Sequence, residues 1–305
     1  MPERKKLIIE VRANEYAMRA RNPHVPWSAE EIGQDAAECR AAGASIVHFH
    51  ARGPAGEPAF GLESYRAPIR AIRARCDMLV YPTLGAFERP LSAQERVAHI
   101  VELARQGEAP DIAPMDMGST NADRFDAASG WFTTEDRTYI NSHATLRHFA
   151  HALGEAGVKP QLVCWNLPML RSATAFLRAG LIAQPAWIYL GLSAASLAHH
   201  PPTLRGLMAL VDFLPDDVRC EWTVALTGAN LLPLAATAVA LGGHVSIGVG
   251  DHDYAELGSP RNAELVRRVV EMARNCGREP ATPDEARAML GMPARNTVHS
   301  TKDLA

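Results

Sequence analysis

The residues best equipped for chemistry are the two histidines of Ala44-Ser45-Ile46-Val47-His48-Phe49-His50-Ala51-Arg52. A run of small, β-branched and aromatic residues reads as a buried strand, and the two-residue period of a strand sends His48 and His50 to the same side. Two neutral imidazoles side by side suit a zinc-like divalent ion, which takes histidine nitrogen at roughly 2.0–2.1 Å and needs at least one further ligand from elsewhere. Taken alone, His-x-His also describes one hydrogen-bonded core histidine beside an exposed one. Its place in the chain decides between the two.

Strand-like and helix-like stretches alternate from end to end, the pattern of an α/β protein with a parallel sheet. The strand candidates are Lys6 to Val11, Ser45 to His50, Met78 to Thr83, Ile112 to Met115, Gln161 to Trp165, Trp187 to Leu190, Trp222 to Leu226 and Val245 to Ile247. Helices fill the gaps. Ser28 with Glu31 forms a capping box and Gly43 a stop for the first. Later helices are expected over Leu62 to Arg75, Ser92 to Arg105, Asn141 to Glu155, Ser172 to Ala179, Thr203 to Leu214, Leu232 to Leu241 and Pro260 to Asn275. Thr282-Pro283-Asp284-Glu285 opens a short extra helix ending near Gly291, and the residues after Met292 read as a polar tail. Eight strand-helix units predict one (β/α)₈ TIM barrel domain, a fold whose typical size is ~250 residues. The rival, an open doubly wound sheet, lacks its G-x-G-x-x-G after the first strand.

Barrels of this kind place their chemistry at the carboxyl ends of the strands. That rim would collect His48 and His50, Glu15 after strand one, Thr83 at the end of strand three, Asp116, Asn166, Asp251 and His252. Two histidines and several carboxylates on one mouth suit a metal-assisted enzyme, in which the ion polarises a carbonyl and a carboxylate moves a proton. The poorly patterned stretch from Asp116 to Thr138 reads as an active-site loop. Gly248-Val249-Gly250 and Gly228-Ala229-Asn230 either cradle an anion or simply turn the chain tightly.

The 305 residues are 47% hydrophobic with a net charge of −3. Basic residues are scattered, so no nucleic-acid partner is expected. No apolar run reaches the length of a membrane span and Met1 to Lys6 is too polar to begin a secretory signal, so a cytoplasmic protein with no membrane association is expected. Cys39, Cys76, Cys164, Cys220 and Cys276 form no C-x-x-C pair and read as reduced thiols.

Several stretches along nearly the whole chain carry a resemblance: Asn22-Pro23-His24-Val25-Pro26, Glu30-Glu31-Ile32, Ala41 to Arg52, Met117-Gly118-Ser119, Pro233-Leu234-Ala235, Leu241-Gly242-Gly243-His244-Val245 and Gly277 to Ala286. Together they resemble the β-keto acid cleavage enzymes, the family of the 3-keto-5-aminohexanoate cleavage enzyme. The resemblance implies a zinc-containing (β/α)₈ barrel, commonly a homo-oligomer, that transfers the acyl part of a small β-keto acid to acetyl-CoA and releases acetoacetate. It implies that His48 and His50 are zinc ligands, that Glu15 meets the polar end of the substrate, that Thr83 holds the substrate carboxylate and that Asp251 belongs to the proton-abstracting pair. Zinc chelated by the carbonyl and carboxylate oxygens would acidify the intervening CH₂, a carboxylate would remove the proton, and the enolate would attack the thioester before a retro-Claisen step.

The chain departs from the family pattern where the chemistry lies. The arginine expected to partner the catalytic aspartate is Ser246, and the glutamate expected as third zinc ligand is Gly250. A polar residue after strand four is Pro114, the glutamates of strand five are Gln161 and Val163, and the polar loop after strand seven is Ala229-Asn230-Leu231. The third ligand then has four candidates, Asp251 first for its adjacency, followed by His252, Asp116 and Glu15. A divergent branch follows, with the same barrel and histidine pair but an altered substrate. A metallohydrolase of the amidohydrolase type ranks lower, because strands five and six offer Trp165 and Leu190 where it needs histidines; a non-catalytic ligand-binding barrel is the third reading.

Overall fold

A computed structural model of the protein describes residues 4–84, 91–126 and 128–294, so the expected polar tail beyond Met292 lies mostly outside the described residues. Eight parallel strands form the sheet: β1 (Ile9–Arg12), β2 (Ile46–Phe49), β3 (Leu79–Pro82), β4 (Ile112–Asp116), β5 (Lys159–Cys164), β6 (Ala186–Ser193), β7 (Cys220–Thr227) and β8 (His244–Ile247). Each pairs with its sequence neighbour except β3 and β4, which stand at the two edges, and β8 pairs back to β1 through Ile9 and Val245. Between β3 and β4 the Asp111 N–H donates to the Val80 carbonyl at 2.9 Å, which brings the last two edges together. The result is the expected (β/α)₈ barrel.

Outside the strands run α1 (Ala29–Ala42), α2 (Leu62–Arg73), α3 (Ala93–Arg105), α4 (His143–Glu155), α5 (Leu167–Arg178), α6 (Leu204–Val211), α7 (Leu232–Ala240) and α8 (Asn262–Asn275), with α9 (Pro283–Met289) across the bottom. The Ser28–Glu31 capping box and the left-handed Gly43 stop are both present on α1. The fifth helix begins five residues earlier than its apolar pattern indicates. Asn166 caps it by accepting from the Met169 N–H, and Pro168 sits in the first turn, where no N–H is needed. The stretch from Asp116 to Thr138 is less irregular than expected: two short antiparallel ribbons pair Thr120–Asn121 with Thr138–Tyr139 and Phe125–Asp126 with Trp131–Phe132. The five cysteines form no disulfide with one another. No helix among the described residues is long and apolar enough to cross a membrane.

The two-residue period sorts every strand. Ile9, Val11, Val47, Phe49, Val80, Leu162, Ile188, Val224 and Val245 pack outward against the helices. Inward, the lowest layer is apolar: Ile8, Ile46, Leu79, Ile112 and Trp187 meet Ala286 and Leu290 of the α9 region, which seals that end. One step up the filling turns polar, with Glu10, Gln161, Thr223 and Ser246 all fully buried. Polarity therefore rises toward the carboxyl ends of the strands, where a ligand arrives.

Asn262, at the start of α8, ties the two loops that matter most. Its amide nitrogen donates to the Ala13 carbonyl and to Asp35, while its oxygen accepts from the Val249 N–H at 2.8 Å. Asn262→Ala leaves those three groups unpaired in the interior. It is expected to destabilise the protein by about 2–4 kcal/mol in urea unfolding, whereas a change within 0.5 kcal/mol would show that the loops need no such tie.

Candidate active site

His48 and His50 both enter the barrel mouth from β2, with ring centroids 5.2 Å apart and planes at 81°. Their neighbour is Glu15. His48 Nε2 lies 3.1 Å from Glu15 Oε1 and His50 Nε2 lies 2.8 Å from Oε2, so each carboxylate oxygen faces one imidazole. The three residues bring their ligand atoms within 4.8 Å of one another. Asn14 fixes the geometry: its side chain accepts from the His50 N–H at 2.8 Å and donates to the His50 and Pro26 carbonyls. Glu15 itself sits at φ 33°, in the left-handed region that a non-glycine residue occupies only when its surroundings enforce it.

Behind this group lies Arg12, the last residue of β1 and inward-facing. Its Nε is 2.9 Å from Glu15 Oε1 and 3.3 Å from Asp251 Oδ2, and a guanidinium nitrogen lies 3.6 Å from Glu10 Oε1. Burial works to raise the Glu15 carboxyl, but Arg12 first and the two histidines after it outweigh burial and hold it well below the usual range. Burial, reinforced by Arg12, pushes the His48 imidazole down to about 3, leaving the ring neutral with a lone pair to offer. Burial raises Asp251 to about 7, which Arg12 offsets only in part. Two carboxylates within reach of one guanidinium thus differ in proton affinity, the division of labour that acid–base chemistry uses.

The donor set of two imidazole nitrogens and one carboxylate is that of a catalytic zinc site with an open fourth position. Glu15 Oε1 supports the fit. It is buried, yet neither close nitrogen meets it at a hydrogen-bonding angle, so it has no satisfied partner among the described residues. The other candidates for third ligand point elsewhere. Asp251 faces Arg12 and accepts from Thr227 Oγ1 at 3.3 Å, His252 turns to Glu256, and Asp116 accepts from the Tyr139 hydroxyl at 2.5 Å. Of the four candidates, Glu15 is the one whose carboxylate lies with the two imidazoles. Glu15 reaches the histidines because the β1 loop folds over them.

The departures acquire reasons. A Cβ on Gly250 would lie 2.8 Å from backbone atoms of Arg12, Asn14 and Glu15, and one on Gly248 would lie 2.0 Å from the Arg12 carbonyl oxygen. The chain after β8 backs directly onto the turn that carries Glu15, and no side chain fits between them. The amides there are also committed: Gly250 donates to Arg12, Val249 to Asn262 and Gly228 to the Asp251 carbonyl. Tight approach accounts for Gly248 and Gly250, and a left-handed φ of 82° for Gly228. Ser246 and Gln161 both donate to Glu10, at 2.8 and 2.6 Å.

The cluster opens into a cavity of about 780 Å³. Thr83, Tyr81, Pro114, Val163, Asp116 and Asp251 line it, as do Ala122 to Asp126 and Thr133 of the ribbon segment. One wall is an aromatic stack in which Trp165 lies between Tyr139 (centroids 5.3 Å) and His199 (4.6 Å). Leu190 packs outward against the helices, so the amidohydrolase pattern has no counterpart. Asn166 is spent on capping α5. Arg12, Glu10 and Asn14 went unnoticed in the sequence. The available signal was a pair of opposite charges two residues apart in a central strand, where charge is rarely buried without a partner.

Fold and site together define a parallel barrel with a buried two-histidine, one-carboxylate group at the carboxyl ends of its strands. The profile of the beta-keto acid cleavage enzymes matches residues 6–292, and the chain belongs to that family. It is 33% identical over 276 residues to the 3-keto-5-aminohexanoate cleavage enzyme of Fusobacterium nucleatum, covering 89% of this chain and 92% of that one. It is 30% identical over 299 residues to the 3-dehydrocarnitine:acetyl-CoA trimethylamine transferase of Rhizobium meliloti, covering 90% and 93%. The apo structure of ObcA shares the fold with a TM-score of 0.70 at 17% identity, over 88% of this chain and 66% of that chain.

The close approach at Gly250 is directly testable. Gly250→Ala is expected to lower stability by about 1–3 kcal/mol, because the added methyl meets only backbone. An unchanged thermal midpoint would refute that packing.

Proposed function

We propose that this protein cleaves a small β-keto acid with the help of a divalent metal, zinc by its donor set, and transfers the acyl part to acetyl-CoA, giving acetoacetate and a new acyl-CoA. The observation that carries the reading is Glu15 held between His48 and His50 in a buried mouth. Acetyl-CoA as co-substrate is supported by the names of relatives in the family, among them the 3,5-dioxohexanoate:acetyl-CoA acetone transferase of Paraburkholderia graminis.

In this reading His48, His50 and Glu15 hold the metal, which when bound supplies Lewis acidity toward a carbonyl and carboxylate. Glu15 therefore serves as the third ligand rather than as the substrate-side acid that the resemblance implies. Asp251 accepts the proton from the CH₂ between the substrate's carbonyl and carboxylate. Its position beside Arg12 keeps it ionised once deprotonated, and burial keeps it basic enough to act. Thr83, at the end of β3 on the cavity wall, binds the substrate carboxylate. The Tyr139–Trp165–His199 wall borders the space left for the substrate side chain.

Purified protein is expected to consume β-keto acids only in the presence of acetyl-CoA and to release acetoacetate. His48→Ala should lose bound zinc and fall at least about 10²-fold in kcat/KM, following the loss of a first ligand. Full zinc content and activity in His48→Ala would overturn the assignment. Asp251 must be ionised to act, so kcat/KM should fall as pH drops through a limb at or below about 7. Asp251→Asn should abolish turnover while keeping the metal. A flat profile between pH 5 and 8, with Asp251→Asn active, would remove Asp251 from the mechanism.

A further inference from the structure

We infer that Arg12 is a positioning residue: its guanidinium is a charged strut that sets Glu15 and Asp251 at a fixed separation, and Glu10, Ser246 and Gln161 form the buried seat that holds the strut. This inference rests on the roles proposed above for Glu15 and Asp251, and adds to them how the two carboxylates are kept apart yet close.

Three observations converge. Arg12 reaches both functional carboxylates at once, at 2.9 and 3.3 Å, from a rigid strand end rather than a loop. It is wedged sideways by the Tyr189 ring, whose centre is 5.2 Å from the guanidinium carbon. Glu10, one inward step below, is wholly buried and lines no part of the cavity. A carboxylate in that position is costly unless it is paired and hydrogen-bonded. Its oxygens take one bond each from Ser246 and Gln161, and the 3.6 Å approach to Arg12 is its only ion pair among the described residues. An acid so placed cannot meet substrate. It can anchor a cation that does meet the working groups.

The contacts are electrostatic more than directional. Arg12 Nε and Asp251 Oδ2 are close but meet no hydrogen-bond angle. Charge at this point should therefore matter more than the planar fork of the guanidinium, which separates this arrangement from a bidentate clamp. Without the cation, Glu15 and Asp251 would repel at close range in a buried mouth and move apart, and a shift on the order of 1 Å costs about 10²-fold in rate.

The test uses the full chain as Arg12→Met, Arg12→Lys and Glu10→Gln. Crystal structures of the zinc-loaded proteins read the Glu15–Asp251 separation, and steady-state kinetics with β-keto acid and acetyl-CoA read the consequence. Arg12→Met is expected to widen the separation, to drop kcat about 10²-fold with KM within about threefold, and to keep its zinc. Arg12→Lys should regain at least about tenfold of that loss, and Glu10→Gln should fall in between. If Arg12→Met fails to fold, the Lys and Gln variants decide on the same two readouts. An unmoved Asp251 with kcat within threefold of wild type overturns the proposal, as does a lysine variant no better than methionine. Should wild-type protein turn over no β-keto acid, the proposed reaction fails separately, and the carboxylate spacing still decides the strut.

Discussion

The barrel mouth depends on one constraint: three carboxylates, a guanidinium and two imidazoles, all of them buried, share a small space. Such a group is unstable unless every charge faces its complement. Arg12 sits at the centre because it touches Glu10, Glu15 and Asp251. Burial raises the proton affinity of Glu10 and Asp251, whereas Glu15, held ionised by Arg12, lies beside two imidazole nitrogens, one of them held neutral by burial and by Arg12. A carboxylate set between two imidazoles is a donor group that suits a divalent cation.

The scaffold is built to hold that group still. Asn14 locks the β1 loop onto the backbone of His50, and Asn262 joins the loops after β1 and β8. The glycines at 248 and 250 let the two loops touch backbone to backbone, which presses Glu15 into its left-handed conformation. The strain at one residue is thus sustained by packing spread over several elements. The apolar floor of Ile8, Ile46, Leu79, Ile112 and Trp187 packs against Ala286 and Leu290 and closes the barrel from below.

Much of this was legible in the residues. Alternating patterns gave eight strands, and the strand period put His48 and His50 on one face, since both signals are local. The carboxyl-end rule then collected Glu15, Thr83 and Asp251 around one cavity. What escaped was set by contacts between strands. Nothing local to Glu15 says that its loop folds back over β2 to meet the histidines, and the sequence adjacency that put Asp251 first carries no direction in space. Gly250 read as the loss of a ligand, yet its missing side chain is the condition for the turn that brings Glu15 to the two histidines. Ser246 and Gln161 read as lost function until both met Glu10. The start of α5 was missed because Asn166 and Pro168 mark it by capping and not by apolar periodicity.

The most direct measurement is anomalous diffraction at the zinc edge from crystals of the protein grown with zinc. A single peak in the barrel mouth, at roughly 2.0–2.2 Å from a nitrogen of His48, a nitrogen of His50 and an oxygen of Glu15, is the expected result. No peak there at saturating zinc, or a peak ligated by Asp251 in place of Glu15, would contradict it.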